Sequence, residues 1–204
     1  MKKNLFCKKF LLVSFLMLTV SVTEVFAGDR DHEGGFLLRL SAGYGYAQTE
    51  LGDPSVMKYF GPCGDVNFAV GGVVLRNLAL HGSLFGWTVI DPSVEIGTIP
   101  GEVNGSLILS GFGVGITYYI MPINIYISPS VGIGRLTLES GGETGDTDMG
   151  PIFDFTVGKE WWVGGSWGLG IAGAVGYHSV RDSEEVPENW RGYSLGVRFS
   201  ATLN

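Results

Sequence analysis

The sequence predicts an all-β fold, an eight-stranded antiparallel up-and-down transmembrane β-barrel. Three observations predict it. In residues 167–177, Trp167, Leu169, Ile171, Val175 and Tyr177 alternate with Gly168, Gly170, Ala172, Ala174 and Gly176. Successive strand side chains point to opposite faces, so one face is bulky and apolar while the other is nearly bare. A soluble sheet would carry charges and hydroxyls on its second face; glycine and alanine suit a cramped barrel interior with lipid outside. The same alternation recurs in eight segments. Finally, the connections between them run long, short, long, short, long, short, long, which leaves both termini on the short-turn side.

The first strand covers residues 36–46, with Phe36, Leu38, Leu40, Ala42, Tyr44 and Tyr46 opposite Leu37, Arg39, Ser41, Gly43 and Gly45. After a loop over 48–62, the second strand (65–75) sets Val66, Phe68, Val70 and Val74 against Asp65, Asn67, Ala69 and Gly71. Arg76-Asn77 is a tight turn. The third strand (78–87) sets Leu78, Leu80 and Leu84 against Ala79, His81 and Ser83. Phe85 and Trp87 then fall on its nominal inner face, which predicts a phase-shifting bulge near Gly82 or Gly86.

A second loop over 88–105 leads to the fourth strand (106–118), where Ile108, Phe112, Val114, Ile116 and Tyr118 oppose Gly111, Gly113, Gly115 and Thr117. Met121-Pro122 turns the chain into the fifth strand (123–134), in which Pro129 predicts a bulge. The third loop spans 139–150. The sixth strand (151–159) sets Phe153, Phe155 and Val157 against Ile152, Asp154, Thr156 and Gly158, before a turn over 160–166. Residues 167–177 are the seventh strand and 178–189 the fourth loop. The eighth strand (192–203) alternates Tyr193, Leu195, Val197, Phe199 and Leu203 with Ser194, Gly196, Arg198, Ser200 and Thr202.

Composition agrees. Glycine fills 33 of 204 positions, roughly twice the usual ~7% and without a G-X-Y period. Charged residues are 16%, against about 25% in ordinary soluble domains. Residues 1–27 read as a secretory signal peptide: Lys2, Lys3, Lys8 and Lys9 precede an apolar run over 10–22, and Val25-Phe26-Ala27 precedes a cut before Gly28. That run is too short to span a bilayer comfortably. The domain that follows is 28–204. Losing Lys2, Lys3, Lys8, Lys9 and Glu24 from 13 basic and 20 acidic residues leaves 9 against 19, a sign that disfavours nucleic acid. Cys63 then stands alone, which excludes an intramolecular disulfide.

Aromatic residues sort to two levels, as interfacial anchoring predicts. Phe36, Tyr118, Trp161, Trp162, Trp167 and Phe199 fall toward the short turns; Tyr44, Tyr46, Phe60, Trp87, Phe153, Tyr177, Trp190 and Tyr193 fall toward the long loops.

On this pattern the chain resembles the small eight-stranded outer-membrane barrel proteins of Gram-negative bacteria, such as the membrane domain of outer-membrane protein A and the OmpX and OmpW types. The resemblance covers Phe36 to Leu203. It implies an outer-membrane location and two kinds of partner: outer-membrane lipid with lipopolysaccharide, and the barrel-insertion machinery. Family members typically end in an aromatic residue read by that machinery; here the chain ends Leu203-Asn204, with Phe199 and Tyr193 further back.

The lumen of an eight-stranded barrel is just wide enough for side chains to fill it. By phase it receives Arg39, Asp65, Asp154 and Arg198, with Lys159 and Glu160 at the turn. If the eighth strand closes onto the first, Arg39 and Arg198 become neighbours, neutralised by Asp65, Asp154 or Glu160, because buried charges must be paired. A plug is the leading expectation, and a narrow ion or water path the second. His81 and Ser83 share a face, as in barrels that modify lipid A, but no carboxylate stands at a triad spacing. The long loops are acidic, with Glu139, Glu143, Asp146 and Asp148 in one and Asp182, Glu184, Glu185 and Glu188 in another; Asp146-Thr147-Asp148 offers oxygen ligands without the spacing of a calcium loop, and these acids are expected to be solvated surface charges of a non-enzymatic envelope barrel. No cofactor, resident metal or catalytic group is assigned, and the protein is expected to be monomeric. Two alternatives follow from the same residues: a small channel for ions or apolar solutes, and a soluble periplasmic lipocalin-like binder with its apolar face turned inward.

Overall fold

The structure is a computed structural model that describes residues 31–52, 56–182 and 189–204; the signal-peptide expectation for 1–27 lies outside them. The described residues form eleven strands, the long ones with alternating burial: β1 (Gly35–Leu51), β2 (Met57–Leu75), β3 (Leu78–Ile90), β4 (Ser93–Ile96), β5 (Ile99–Glu102), β6 (Gly105–Ile120), β7 (Ile125–Ser140), β8 (Glu143–Asp146), β9 (Gly150–Trp162), β10 (Trp167–Arg181) and β11 (Asn189–Leu203). Eight long strands pair antiparallel in the order β1, β2, β3, β6, β7, β9, β10, β11, and β11 pairs back onto β1. The barrel is closed. Among the described residues no helix is long and apolar enough to cross a membrane.

The register fixes the shear. From Tyr177 the pairing passes through Phe153, Val131, Val114, Gly82, Val70, Leu38 and Leu203 and returns to β10 at Trp167, ten residues lower. Over eight strands that descent tilts the strands by about 40°.

The two faces are what make this a membrane fold. Leu169, Ile171, Val197 and Phe199 are 49%, 42%, 49% and 68% exposed on the outer wall. Arg39, Asp154, Arg198 and Thr202 are buried inside. The lipocalin-like alternative needs the reverse and is overturned. Lipid-facing strands must satisfy every backbone group, which a closed ladder does.

Two local expectations are corrected. β3 keeps one register against β2 from Ala79 to Val89 and against β6 throughout, so no bulge lies near Gly82 or Gly86. Phe85 and Trp87 are buried lumen residues; the irregularity sits at Val73/Leu75 in β2. At Pro129 the β6–β7 ladder skips Ile116 and Thr117, yet resumes at Tyr118↔Ile127 in unchanged register, so this is an interruption and not a bulge. Proline removes the amide donor without adding a residue.

The strands also outrun their predicted ends on the long-loop side. The expected loop over 48–62 is largely a hairpin arm of β1 and β2, the second loop folds into β4 and β5 with β4 added to β2, and β8 folds back antiparallel onto the end of β7. These arms enclose an apolar core of Tyr59, Cys63, Phe85, Trp87, Val89, Val94, Leu107, Leu109, Leu136, Ile152 and Val180.

Candidate functional site

Below the apolar core the lumen is filled at three further levels. At mid-height Arg198, on β11, lies between Asp65 of β2 and Asp154 of β9. Its Nε and Nη2 donate to Asp65, the latter at 2.9 Å to Oδ2. Its Nη1 and Nη2 donate to Asp154 at 2.9 and 2.6 Å, and Nη1 also reaches Thr156 Oγ1 at 2.7 Å. Asn67 Nδ2 and Thr156 Oγ1 donate to Asp154 Oδ1 as well, at 3.2 and 3.1 Å. A planar guanidinium has five donors in a fixed fork, and two carboxylates can take them two at a time.

Arg39 does not join this cluster. Its cross-strand partner is Thr202, whereas that of Arg198 is Gly43, four residues further along β1. The expected neighbour relation is therefore replaced by two separate levels. Arg39 Nη2 donates to Thr117 Oγ1 at 2.6 Å, its Nε lies 4.0 Å from Glu160 Oε1, and its guanidinium stacks 4.4 Å over the Tyr126 ring. Glu160 is held by Thr202 Oγ1 at 2.6 Å. Glu160 belongs to β9, not to a turn, and Lys159 beside it faces outward, with Nζ on the Ile123 carbonyl and 5.5 Å over Trp161.

The third layer closes the short-turn mouth. His32, just ahead of β1, is fully buried and stacks on Tyr119 with ring centroids 3.6 Å apart. Its ring nitrogens meet Asn204 Oδ1 at 2.9 Å and Asn124 Oδ1 at 3.2 Å. The His32 amide donates to Asn77 Oδ1 and the Asn77 amide returns a bond to the His32 carbonyl, both at 2.9 Å. Asn77 adopts φ 62°, which the turn needs. Asp31 accepts from Arg76 and from Asn77 Nδ2; the Arg76 hydrogen bond lowers the Asp31 carboxyl pKa and raises that of Arg76. Burial lowers the His32 pKa below its ordinary 6.5.

Residues 28–35 read in sequence as a polar leader, so this strap was not visible there. No periodicity marks a single plugging histidine. Tyr126 was on the inner face by alternation, an oversized residue among serines that signals a lumen contact. Trp162 is corrected: continuing the β9 alternation past Lys159 turns Trp161 outward and Trp162 inward, 4.9 Å from His32. Trp87, buried on the inner face of β3, and Trp190, partly buried against the apolar core 5.7 Å from Tyr59, also leave the outer belt. Phe199 is exposed but pairs with Ala42 and Ile171, four residues above Leu203, so it sits in mid-wall and not at an interface. Phe36, Tyr44, Tyr46, Trp161, Trp167, Tyr177 and Tyr193 all face outward.

His81 and Ser83 are buried in the wall. His81 Nδ1 lies 2.8 Å from Ser83 Oγ and Nε2 lies 3.0 Å from Thr117 Oγ1. Hydroxyls, not a carboxylate, orient the ring. Asp146, proposed as an oxygen ligand, accepts from Thr137 Oγ1 at 2.6 Å and lies 3.4 Å from Arg135. Of the acids in the fourth loop, Asp182 accepts from Trp190 Nε1 at 3.3 Å; Glu184, Glu185 and Glu188 lie outside the described residues.

The crystal structure of Neisserial surface protein A is similar, with a TM-score of 0.50 at 12% identity over 81% of this chain and 97% of that one. The fold is that of a small outer-membrane barrel. Outer membrane protein OprG from Pseudomonas aeruginosa is similar at a TM-score of 0.47, with 10% identity over 85% and 98% of the two chains. The attachment invasion locus protein of Yersinia pestis gives 0.42, with 13% identity over 81% and 98%. No family model and no curated protein sequence matches the chain. A closed barrel of this fold, wearing a continuous apolar girdle, is built to span an outer membrane by its strands.

Proposed function

We propose that the protein is a non-enzymatic envelope barrel that acts through its outer wall and its acidic surface loops, with a lumen that carries no traffic. The observation that supports this is the stack of blocks along one axis: the apolar core around Trp87, the Arg198–Asp65–Asp154 cluster, the Arg39–Glu160 level, and the His32 strap. An eight-stranded lumen has no spare width beside such side chains. Its partners on this reading are outer-membrane lipid and lipopolysaccharide along the wall, and the barrel-insertion machinery during assembly; the folded protein is a monomer.

Planar-bilayer recording tests the central claim. The purified barrel is expected to give no steady conductance steps, in the full-length mature form and after His32→Ala alike, because three further blocks remain. Regular single-channel steps from the wild-type protein would favour the channel reading instead. Catalysis is disfavoured by the burial of His81 and Ser83 behind hydroxyl partners, and lipid A from cells carrying His81→Ala is expected to match the wild type.

A further inference from the structure

We infer that the outer wall carries a binding site for a phosphorylated, multiply acylated glycolipid of the outer leaflet, in the groove crossing β2, β3, β6 and β7 below Arg135. This rests on the outer-membrane reading and names one place on the wall where a lipid is held.

The groove follows from a gap in side-chain bulk. One cross-strand row runs Val66, Gly86, Ser110, Arg135. The row beneath it is Phe68, Leu84, Phe112, Ile133. Two small residues in the upper row, over bulky ones below, leave a concavity of about 550 Å³, within the roughly 300–1,000 Å³ of small-ligand sites. Its lower part is hydrocarbon. Its upper part has the Ser110 and Thr88 hydroxyls and the Arg135 guanidinium.

The height matters. The register line descends ten residues per circuit, a little over one residue per strand. Corrected for that descent, Thr88, Ser110 and Arg135 stand at the level of Tyr46, Tyr193 and Tyr177 on the opposite side of the barrel. The aromatic belt is thus replaced, over this groove alone, by two hydroxyls and a cation. Arg135 is half exposed, with its Nη1 3.4 Å from Asp146, and the five donors of a guanidinium outnumber what one carboxylate takes. A guanidinium facing outward at the outer interface, above an apolar groove, complements a phosphate above acyl chains.

The test uses the folded mature chain in zwitterionic detergent, titrated with a bis-phosphorylated hexa-acyl glycolipid and followed by native mass spectrometry. The phosphate-free glycolipid and phosphatidylethanolamine are the comparison ligands. One copy of the phosphorylated glycolipid is expected to bind at least tenfold more tightly than either. Arg135→Gln is expected to weaken it about tenfold, and Ser110→Phe, which fills the floor, to abolish it. Gly173→Leu adds bulk on the far wall, where nothing lies within 4 Å of an added Cβ, and is expected to leave binding unchanged. Heat-modifiable gel mobility verifies folding; if Ser110→Phe does not fold, Arg135→Gln decides alone. Equal binding of the three lipids, undiminished binding by Arg135→Gln, or a protein dimer covering the groove would overturn the assignment. Fractionation of the mature chain as a soluble protein would instead sink the membrane reading beneath it.

Discussion

Arg198 pairs with two buried carboxylates, and among the described residues it is the cation that faces both. Asp65 and Asp154 each accept from its guanidinium, and Asn67 and Thr156 contribute only neutral bonds to Asp154. Removing one partner of a buried ion pair leaves the other charge uncompensated, which costs about 3–5 kcal/mol. Arg198→Met is therefore expected to destabilise the barrel by that amount in urea unfolding from lipid vesicles. Asp65→Asn combined with Arg198→Met should recover part of the loss.

The residue scale also carries a pH dependence. The folded pKa of His32 lies below 6.5 because burial disfavours the imidazolium, although Asn124, Asn204 and Glu160 act the other way. The free strap therefore binds the proton more tightly than the docked one. Docking is strongest above pH 6.5 and weakens as pH falls below it. Asp31 adds a loss in the same direction, but only in the acidic carboxylate range. Hydrogen exchange at the Asn77 amide, corrected for the intrinsic rate, is expected to accelerate as pH falls from neutrality to about 5. His32→Asn should flatten that profile.

At the scale of the strand, close ladder contact between β6 and β7 depends on two inner glycines. A Cβ on Gly113 would lie 2.2 Å from the Val131 carbonyl oxygen, and one on Gly132 2.1 Å from that of Phe112. Neither obstacle is a side chain that can turn away. Gly113→Ala and Gly132→Ala are each expected to lose the heat-modifiable folded band, whereas Gly173→Ala, on the open outer wall, is expected to keep it. The inner position of these glycines was legible in the sequence from strict alternation, as was the turn at Arg76-Asn77. Strand ends were less so. Trp162 was assigned outward because the sixth strand was stopped at Lys159, three residues short, and a stopped strand loses its parity. Phe85 and Trp87 suggest a bulge because bulky residues are expected only outside; the upper end of the lumen is itself apolar, and there the parity is unbroken.

For the whole molecule, the wall defines a depth scale. Phe199 sits mid-wall between Ala42 and Ile171, while Tyr193 stands at the upper belt opposite Tyr177. A lipid-facing arginine costs roughly 2–4 kcal/mol at the midplane and about 0–1 near an interface. Phe199→Arg is expected to destabilise the vesicle-embedded barrel by the larger amount and Tyr193→Arg by the smaller, read from unfolding midpoints. Equal costs would mean that the bilayer midplane lies elsewhere.

Sequence by itself determined the number of long strands, their parity and which face meets lipid, because each rests on a two-residue period that neighbouring residues express locally. The closure register, the separation of Arg39 from Arg198, and the seating of His32 against Asn77, Asn124 and Asn204 were decided only in three dimensions. A shear of ten residues is a property of the closed ring, and no single strand encodes it. It sets which charges share a level, and hence which carboxylate meets which guanidinium.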